Sequence, residues 1–166
     1  MSLLLGPVCA ILAIVFMTSL LRLQKNTNKI SSNEIIRIFY AVILCGVLGG
    51  FIPEILGLGG ETISGILNNQ YSLYFLMLVL LLKLLVTVVC LSMGFFGGVF
   101  SPALVLGASM GGIFTYIGNT IGVGMLGSSL ILAGMAALSA SVIGAPIATI
   151  VIIFELTHSY DLAFVS

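Results

Sequence analysis

No Asp, Glu, Lys or Arg occurs between Lys83 and Glu155. This run is far longer than the roughly 20 apolar residues that a helix needs to cross a hydrocarbon core about 30 Å thick. Soluble domains carry about 25% charged residues, whereas 6% of these 166 residues are charged and 60% are hydrophobic. So few charges could not cover a surface that faces water, and the chain is therefore predicted to be an integral membrane protein.

Glycine, asparagine and proline interrupt the uncharged run, so it cannot consist of simple spanning helices. The interruptions are GFFGG at 94–98, Asn119 with 122–127, and IGAP at 143–146. Helices are predicted between them, over residues 101–117, 128–141 and 145–156. The second and third of these are too short to cross a bilayer. Broken backbone at membrane depth is tolerated where protein buries it or water lines it, and in transporters it marks binding sites.

Three longer spans are predicted before these breaks, over residues 3–21, 35–51 and 71–93. The first two are joined by a polar segment that contains four of the five basic residues, which are Arg22, Lys25, Lys29 and Arg37. The positive-inside rule places this segment in the cytoplasm.

Two local features are predicted around the second span. One of Ser31, Ser32 and Asn33 is expected to cap its helix, with Glu34 in the first turn. The segment EILGLGGETISGIL that follows is expected to form a loop and a short helix near an interface, with Glu54 and Glu61 as loop acids.

The residues for metal, redox or enzyme chemistry are sparse. Cys9, Cys45 and Cys90 lie far apart in apolar runs without a C-x-x-C pair, and are predicted to be small core residues. The single histidine, His158, has no ligand partner at metal spacing, so neither a metal site nor a cofactor is predicted. No catalytic triad or phosphate loop indicates an enzyme, and zero net charge does not favour nucleic acid binding. The N-terminus lacks the basic segment of a cleaved signal peptide.

The segment GGVFSPAL has the composition of a turn followed by a helix start. Pro102 suits the first turn, where its missing N–H would have no helical partner. Its glycine pair, which ends at Gly98, permits unusual backbone angles and the close approach of an ion. The N–H groups of Val99, Phe100 and Ser101 would converge at the positive end of the helix dipole, which predicts an anion site. The alternative is a glycine turn that serves packing alone.

The segment contains no Lys or Arg. An anion would therefore be held by partial charges and would leave readily, as conduction requires.

Residues 98–102, GVFSP, resemble the G-[IV]-F-x-P signature of the CLC chloride channel and chloride/proton antiporter family. GMAALSASVIGAPIATIVIIFELTHSY resembles a later segment of that family, and the matches cover most of residues 40–161 in order. The resemblance implies that the amides of Val99 and Phe100 hold chloride at the central site. It also implies an all-α polytopic membrane fold with tilted and broken helices, built from two inverted halves, and a homodimer in which each subunit has its own anion path.

Several elements of that family do not occur in this sequence. They are the G-S-G-I-P turn, the G-[RK]-E-G-P turn with its gating glutamate, the proton-transferring glutamate of the antiporters, the tyrosine that closes the anion site, and the CBS domains. Residues 1–166 are therefore interpreted as a single membrane-domain fragment, the second inverted half of such a transport domain, in a bacterial cytoplasmic membrane. Its predicted partners are chloride or a similar anion, membrane lipid and, if the gene is split, the missing N-terminal half. Alone, the chain is not expected to transport chloride.

Lys83 and Glu155 are the charged residues considered for a role in anion transport. A lysine at mid-span costs about 2.5–3.5 kcal/mol on insertion scales, so Lys83 should face protein or water. It is predicted to draw anions toward the path by its charge; the alternative is a structural partner for a carbonyl or carboxylate. Glu155 lies in the E-L-T of the family segment and is predicted to be a structural acid that pairs with a basic residue, not a gate.

Small residues at i, i+4 spacing predict close helix contacts. The pairs are Gly107 with Gly111 and Ala133 with Ala137. They are interpreted as packing residues without a chemical role.

Anion transport in a CLC-type channel or antiporter is thus the leading hypothesis, and the sequence leaves channel and antiporter open. The alternative is a truncated or split-gene half that acts only in assembly. A third hypothesis is an unrelated secondary transporter that binds a carboxylate substrate at the same helix end.

Overall fold

The computed structural model describes residues 2–30, 34–95, 97–122 and 127–163. In these ranges the chain forms seven α-helices and one 3-10 turn, with no strand. The helices are α1 Ser2–Ile30, α2 Glu34–Phe51, α3 Gly60–Leu67, α4 Leu73–Ser92, α5 Phe100–Thr120, α6 Gly127–Ile143 and α7 Pro146–Ala163, and the 3-10 turn is Pro53–Ile55. Most of α1 and the whole of α2, α4 and α5 are long and apolar enough to cross a membrane. The all-α prediction is confirmed.

Most predicted helix boundaries agree with the structure to within a few residues. The second span is α2, the third is α4, and α5 to α7 lie between the predicted interruptions. Glu34 lies in the first turn of α2 and contacts Arg37 at 3.6 Å. The predicted loop and short helix after α2 are the 3-10 turn and α3. The proposed caps Ser31, Ser32 and Asn33 lie outside the described residues.

Two helix ends were predicted too early. The first span was expected to end at residue 21, but α1 continues to Ile30. Residues 22–30 contain no glycine or proline, and their Lys, Arg and Gln are good helix formers, so polarity alone does not end the helix. The Thr27 hydroxyl donates to Ser92 O at 3.1 Å, which fixes the extension beside the end of α4. Likewise, α7 continues past residue 156 to Ala163.

The core is centred on the contact between α5 and α6. A Cβ on Gly107 would lie 2.7 Å from Met135 Cα, and one on Gly111 would lie 2.5 Å from Ile131 Cα. The small residues of α5 therefore let the two backbones touch, as predicted. On α6 the closest contact is made by Gly134, while Ala133 and Ala137 are half-buried and pack against the core. Helix α1 covers this pair with fully buried side chains such as Cys9 and Phe16.

Candidate anion-binding site

The start of α5 is an open helix N-terminus. Its N-cap residue is Val99, at φ −80° and ψ −12°, and no side chain caps the helix. The first main-chain bond of the helix runs from Ala103 N to Val99 O at 3.1 Å. Among the described residues, no acceptor takes the N–H of Val99, Phe100 or Ser101. Residues 99–102 are half-buried and residues 97–98 are exposed, so the described part of the chain does not enclose the start of the helix.

The turn before α5 differs from the prediction in its backbone. Neither Gly97 nor Gly98 has a positive φ; the left-handed residue is Gly94, at φ 99°, where α4 ends. The left-handed residue of this connection thus lies at the end of α4, and Gly97 and Gly98 need no special angles. A Cβ on Gly98 would have its nearest neighbour, Phe100 N, at 4.0 Å. Gly98 therefore leaves the helix end uncovered.

The residues after the 3-10 turn, 56–59, support the start of α5 and are called the support segment. The Ser101 hydroxyl donates to Leu58 O at 2.6 Å. Gly59, at φ 78°, packs directly on Val105, where a side chain would clash. The Ser101 side chain therefore holds the site in place, while its amide remains at the open helix end.

Lys83 fixes the same region from α4. Its side chain is 3% exposed. Its Nζ donates to Ile55 O at 2.7 Å and to Gly57 O at 2.9 Å. Such bonds offset the cost of placing an ammonium group inside a membrane helix. These contacts correspond to the structural alternative, since Lys83 bonds to main-chain carbonyls and not to residues 98–102. Its electrostatic role stays a prediction.

Glu155, Glu54 and Glu61 are the acidic residues considered for a role in transport. Glu155 is exposed on α7, and its role as a structural acid stays a prediction. Glu54 and Glu61 line a cavity of about 640 Å³ together with Tyr71 and the support segment. Burial, and secondarily the charges of Glu54 and Glu61, raise the pKa of Tyr71, so its phenol is protonated at neutral pH.

Sequence reasoning missed the support segment as part of the site. The two hydrogen bonds that tie it to Lys83 and Ser101 span 26 and 43 residues of sequence. The available signal was the glycine spacing GLGG at 57–60, which indicates tight turns and close contacts.

The fold and the open helix end can be compared with known proteins. The family model for the voltage gated chloride channel matches residues 1–165. The H(+)/Cl(-) exchange transporter ClcA of Citrobacter koseri is 34% identical over 121 residues, which are 72% of this chain and 26% of the relative. ClcA of Salmonella arizonae is 31% identical over 166 residues, covering 96% of this chain and 35% of the relative.

The chain thus spans about a third or less of the length of these curated relatives. The family match, in contrast, includes nearly every residue of the chain, and with it the GVFSP turn at the start of α5. Together with its four apolar helices of spanning length, this match shows that the protein is an integral membrane protein of the voltage-gated chloride channel family.

Proposed function

We propose that this chain takes part in chloride transport across a bacterial cytoplasmic membrane, and that the anion is held by the amides of Val99 and Phe100. The observation that carries the proposal is the open start of α5, where these N–H groups have no acceptor among the described residues and no side chain caps the helix. The relatives are named as H(+)/Cl(-) exchangers, which favours chloride as the ligand.

The physical basis is the charge distribution at a helix end. An α-helix N-terminus behaves like about half a positive charge and offers donors without intrahelical partners. Residues 98–102 add no Lys or Arg. The binding free energy would therefore come from partial charges, strong enough to attract an anion and weak enough to release it. The step is coordination and release, with no covalent chemistry, which is a transport activity and not an enzymatic one.

We further propose that the transporting unit includes a first half with the G-S-G-I-P and G-x-E-G-P turns, and that complete units form dimers. The share of the relatives that this chain covers, 26% and 35%, supports a larger assembly. Large apolar side chains are exposed on α2 and α7, including Phe51 at 83% and Ile147 at 80%. Such faces suit contact with lipid or with further protein.

A proline substitution tests the role of one donor. Val99→Pro removes the amide N–H, and the native φ of −80° lies within the range of proline. A hydrogen bond to a charged group contributes about 1.5–3 kcal/mol, so chloride should bind roughly 10- to 100-fold more weakly. Val99→Ala keeps the N–H and is the matched control. Chloride efflux is measured from liposomes that contain this chain together with a polypeptide carrying the first-half turns.

The same assay separates the parts of the proposal. We expect efflux from the combined proteins, reduced by Val99→Pro and kept by Val99→Ala. Efflux from this chain alone would contradict the need for a first half. Equal efflux from the two variants would show that the Val99 N–H is not a ligand of chloride. No chloride efflux from any combination would contradict the proposed transport function.

A further inference from the structure

Two of the three cysteines lie side by side. Cys45 Sγ on α2 and Cys90 Sγ on α4 are 2.8 Å apart, although 45 residues separate them in sequence. Both thiols are free and half-buried. The prediction that all three cysteines are small core residues is wrong for this pair, since both are only half-buried. It is correct for Cys9, which is fully buried and whose sulfur lies 4.0 Å from Gly134 O.

The distance suits a covalent bond between the two sulfurs. A disulfide has an S–S length of about 2.05 Å, so a shift of less than about 1 Å would bring the pair to bonding distance. The helices already hold the side chains toward each other, and the bond requires no rearrangement of chain topology.

Small molecules can reach the neighbourhood of the pair. Met93 lies three residues after Cys90, beside an apolar groove of about 470 Å³ between α2 and α4. The same Met93 borders a second cavity of about 410 Å³, which is lined by polar residues that include Gln24, Thr27 and Ser92. A small polar oxidant or reductant can thus approach to within one helical turn of Cys90.

We propose that Cys45 and Cys90 form a reversible disulfide that joins α2 to α4. With a peroxide as oxidant, one thiol sulfur attacks an oxygen, the O–O bond breaks, and a sulfenic acid and one water form. The second thiol sulfur then attacks the sulfenic sulfur, the S–S bond forms, and the hydroxyl leaves as a second water with the remaining thiol proton. Two thiols of a small reductant reverse the reaction by exchange and become a disulfide themselves.

The location of the disulfide would limit the movement of α2 relative to α4. Only Ala41 and Gly49 of α2 are buried, so side-chain packing attaches this helix weakly to the rest of the described structure. Helix α2 leads directly into the 3-10 turn and the support segment, and α4 carries the Lys83 that holds them. A bond between Cys45 and Cys90 would fix α2 to α4, the two helices that hold the 3-10 turn and the support segment. The proposal does not depend on the transported ion.

Counting reactive thiols tests the proposal on the whole chain in membranes. After treatment with hydrogen peroxide, we expect the protein mass to be lower by two hydrogen atoms. After subsequent denaturation and alkylation with N-ethylmaleimide, we expect one adduct, on Cys9. After reduction with dithiothreitol we expect three adducts. Digestion of the oxidised protein should give a linked peptide pair that contains Cys45 and Cys90.

Serine variants complete the design. Cys45→Ser and Cys90→Ser should each show two adducts after reduction and no linked peptide after peroxide, whereas Cys9→Ser should show none after peroxide and two after reduction. Three adducts from the peroxide-treated wild type, a sulfinic acid on either residue, or a linked peptide that contains Cys9 would overturn the proposal. The wild-type result stands even if a serine variant does not fold.

Discussion

Replacing Gly134 by alanine is expected to destabilise the protein by about 1–3 kcal/mol, the usual cost of overpacking a close contact. A Cβ at this position would collide with Gly107 O and would lie 3.1 Å from Gly111 N. Both are main-chain atoms of α5, which cannot rotate away as a side chain can. The helices must therefore separate, and buried side chains such as Leu106 and Met135 lose contacts. Thermal unfolding in a mild detergent would measure the loss.

The matched control is the same substitution at Gly118, in α5. A Cβ at Gly118 would meet no atom within 4 Å. Alanine is a better helix former than glycine by about 0.5–1 kcal/mol, so Gly118→Ala should be neutral or stabilising. Opposite signs for the two substitutions are the expected pattern. If Gly134→Ala unfolds at the same temperature as the wild type or above it, the described close contact between α5 and α6 does not exist in the protein.

Replacing Lys83 by methionine is expected to loosen the segment that supports the anion site. Methionine fills much of the same space but donates no hydrogen bond, and Ile55 O and Gly57 O then lose the donors that Nζ provides. A buried acceptor without its partner costs about 1–3 kcal/mol. Hydrogen exchange of the amides from Ile55 to Gly60 should become faster, and the unfolding temperature should fall.

Lys83→Arg separates the structural role from the electrostatic one. Arginine keeps the charge and several donors. Slow exchange in Lys83→Arg and fast exchange in Lys83→Met would support the hydrogen bonds as the main contribution. If exchange and stability are unchanged in Lys83→Met while chloride flux through the assembled transporter falls, the electrostatic prediction is correct and the structural one is wrong.

The helices and the unpaired N–H groups at the start of α5 could be predicted because they depend on local sequence. The uncharged run between Lys83 and Glu155 and the breaks at GFFGG and IGAP already define where α5 and α7 begin. The position of Pro102 in the first turn of α5 likewise follows from proline chemistry. The family resemblance then assigned a ligand to the same amides.

The remaining features depend on contacts between distant residues. The carbonyl partners of Lys83, the support of Ser101 by Leu58 and the pairing of Cys45 with Cys90 each join separate helices or loops. Sequence distance does not limit distance in space, so the cysteines could not be paired before the helices were packed. Gly134 and Ala133 point about 100° apart around α6. The sequence periodicity alone does not show which of the two faces α5.

The proposed anion site at the open start of α5 can be tested directly by locating a bound halide. Bromide substitutes for chloride and can be located by its anomalous scattering in crystals of this chain bound to a polypeptide that carries the first-half turns. We predict a bromide peak within hydrogen-bonding distance of Val99 N and Phe100 N, and its loss in Val99→Pro crystals but not in Val99→Ala crystals. A bromide site elsewhere along a conducting path, with no peak at these two amides, would contradict the claim.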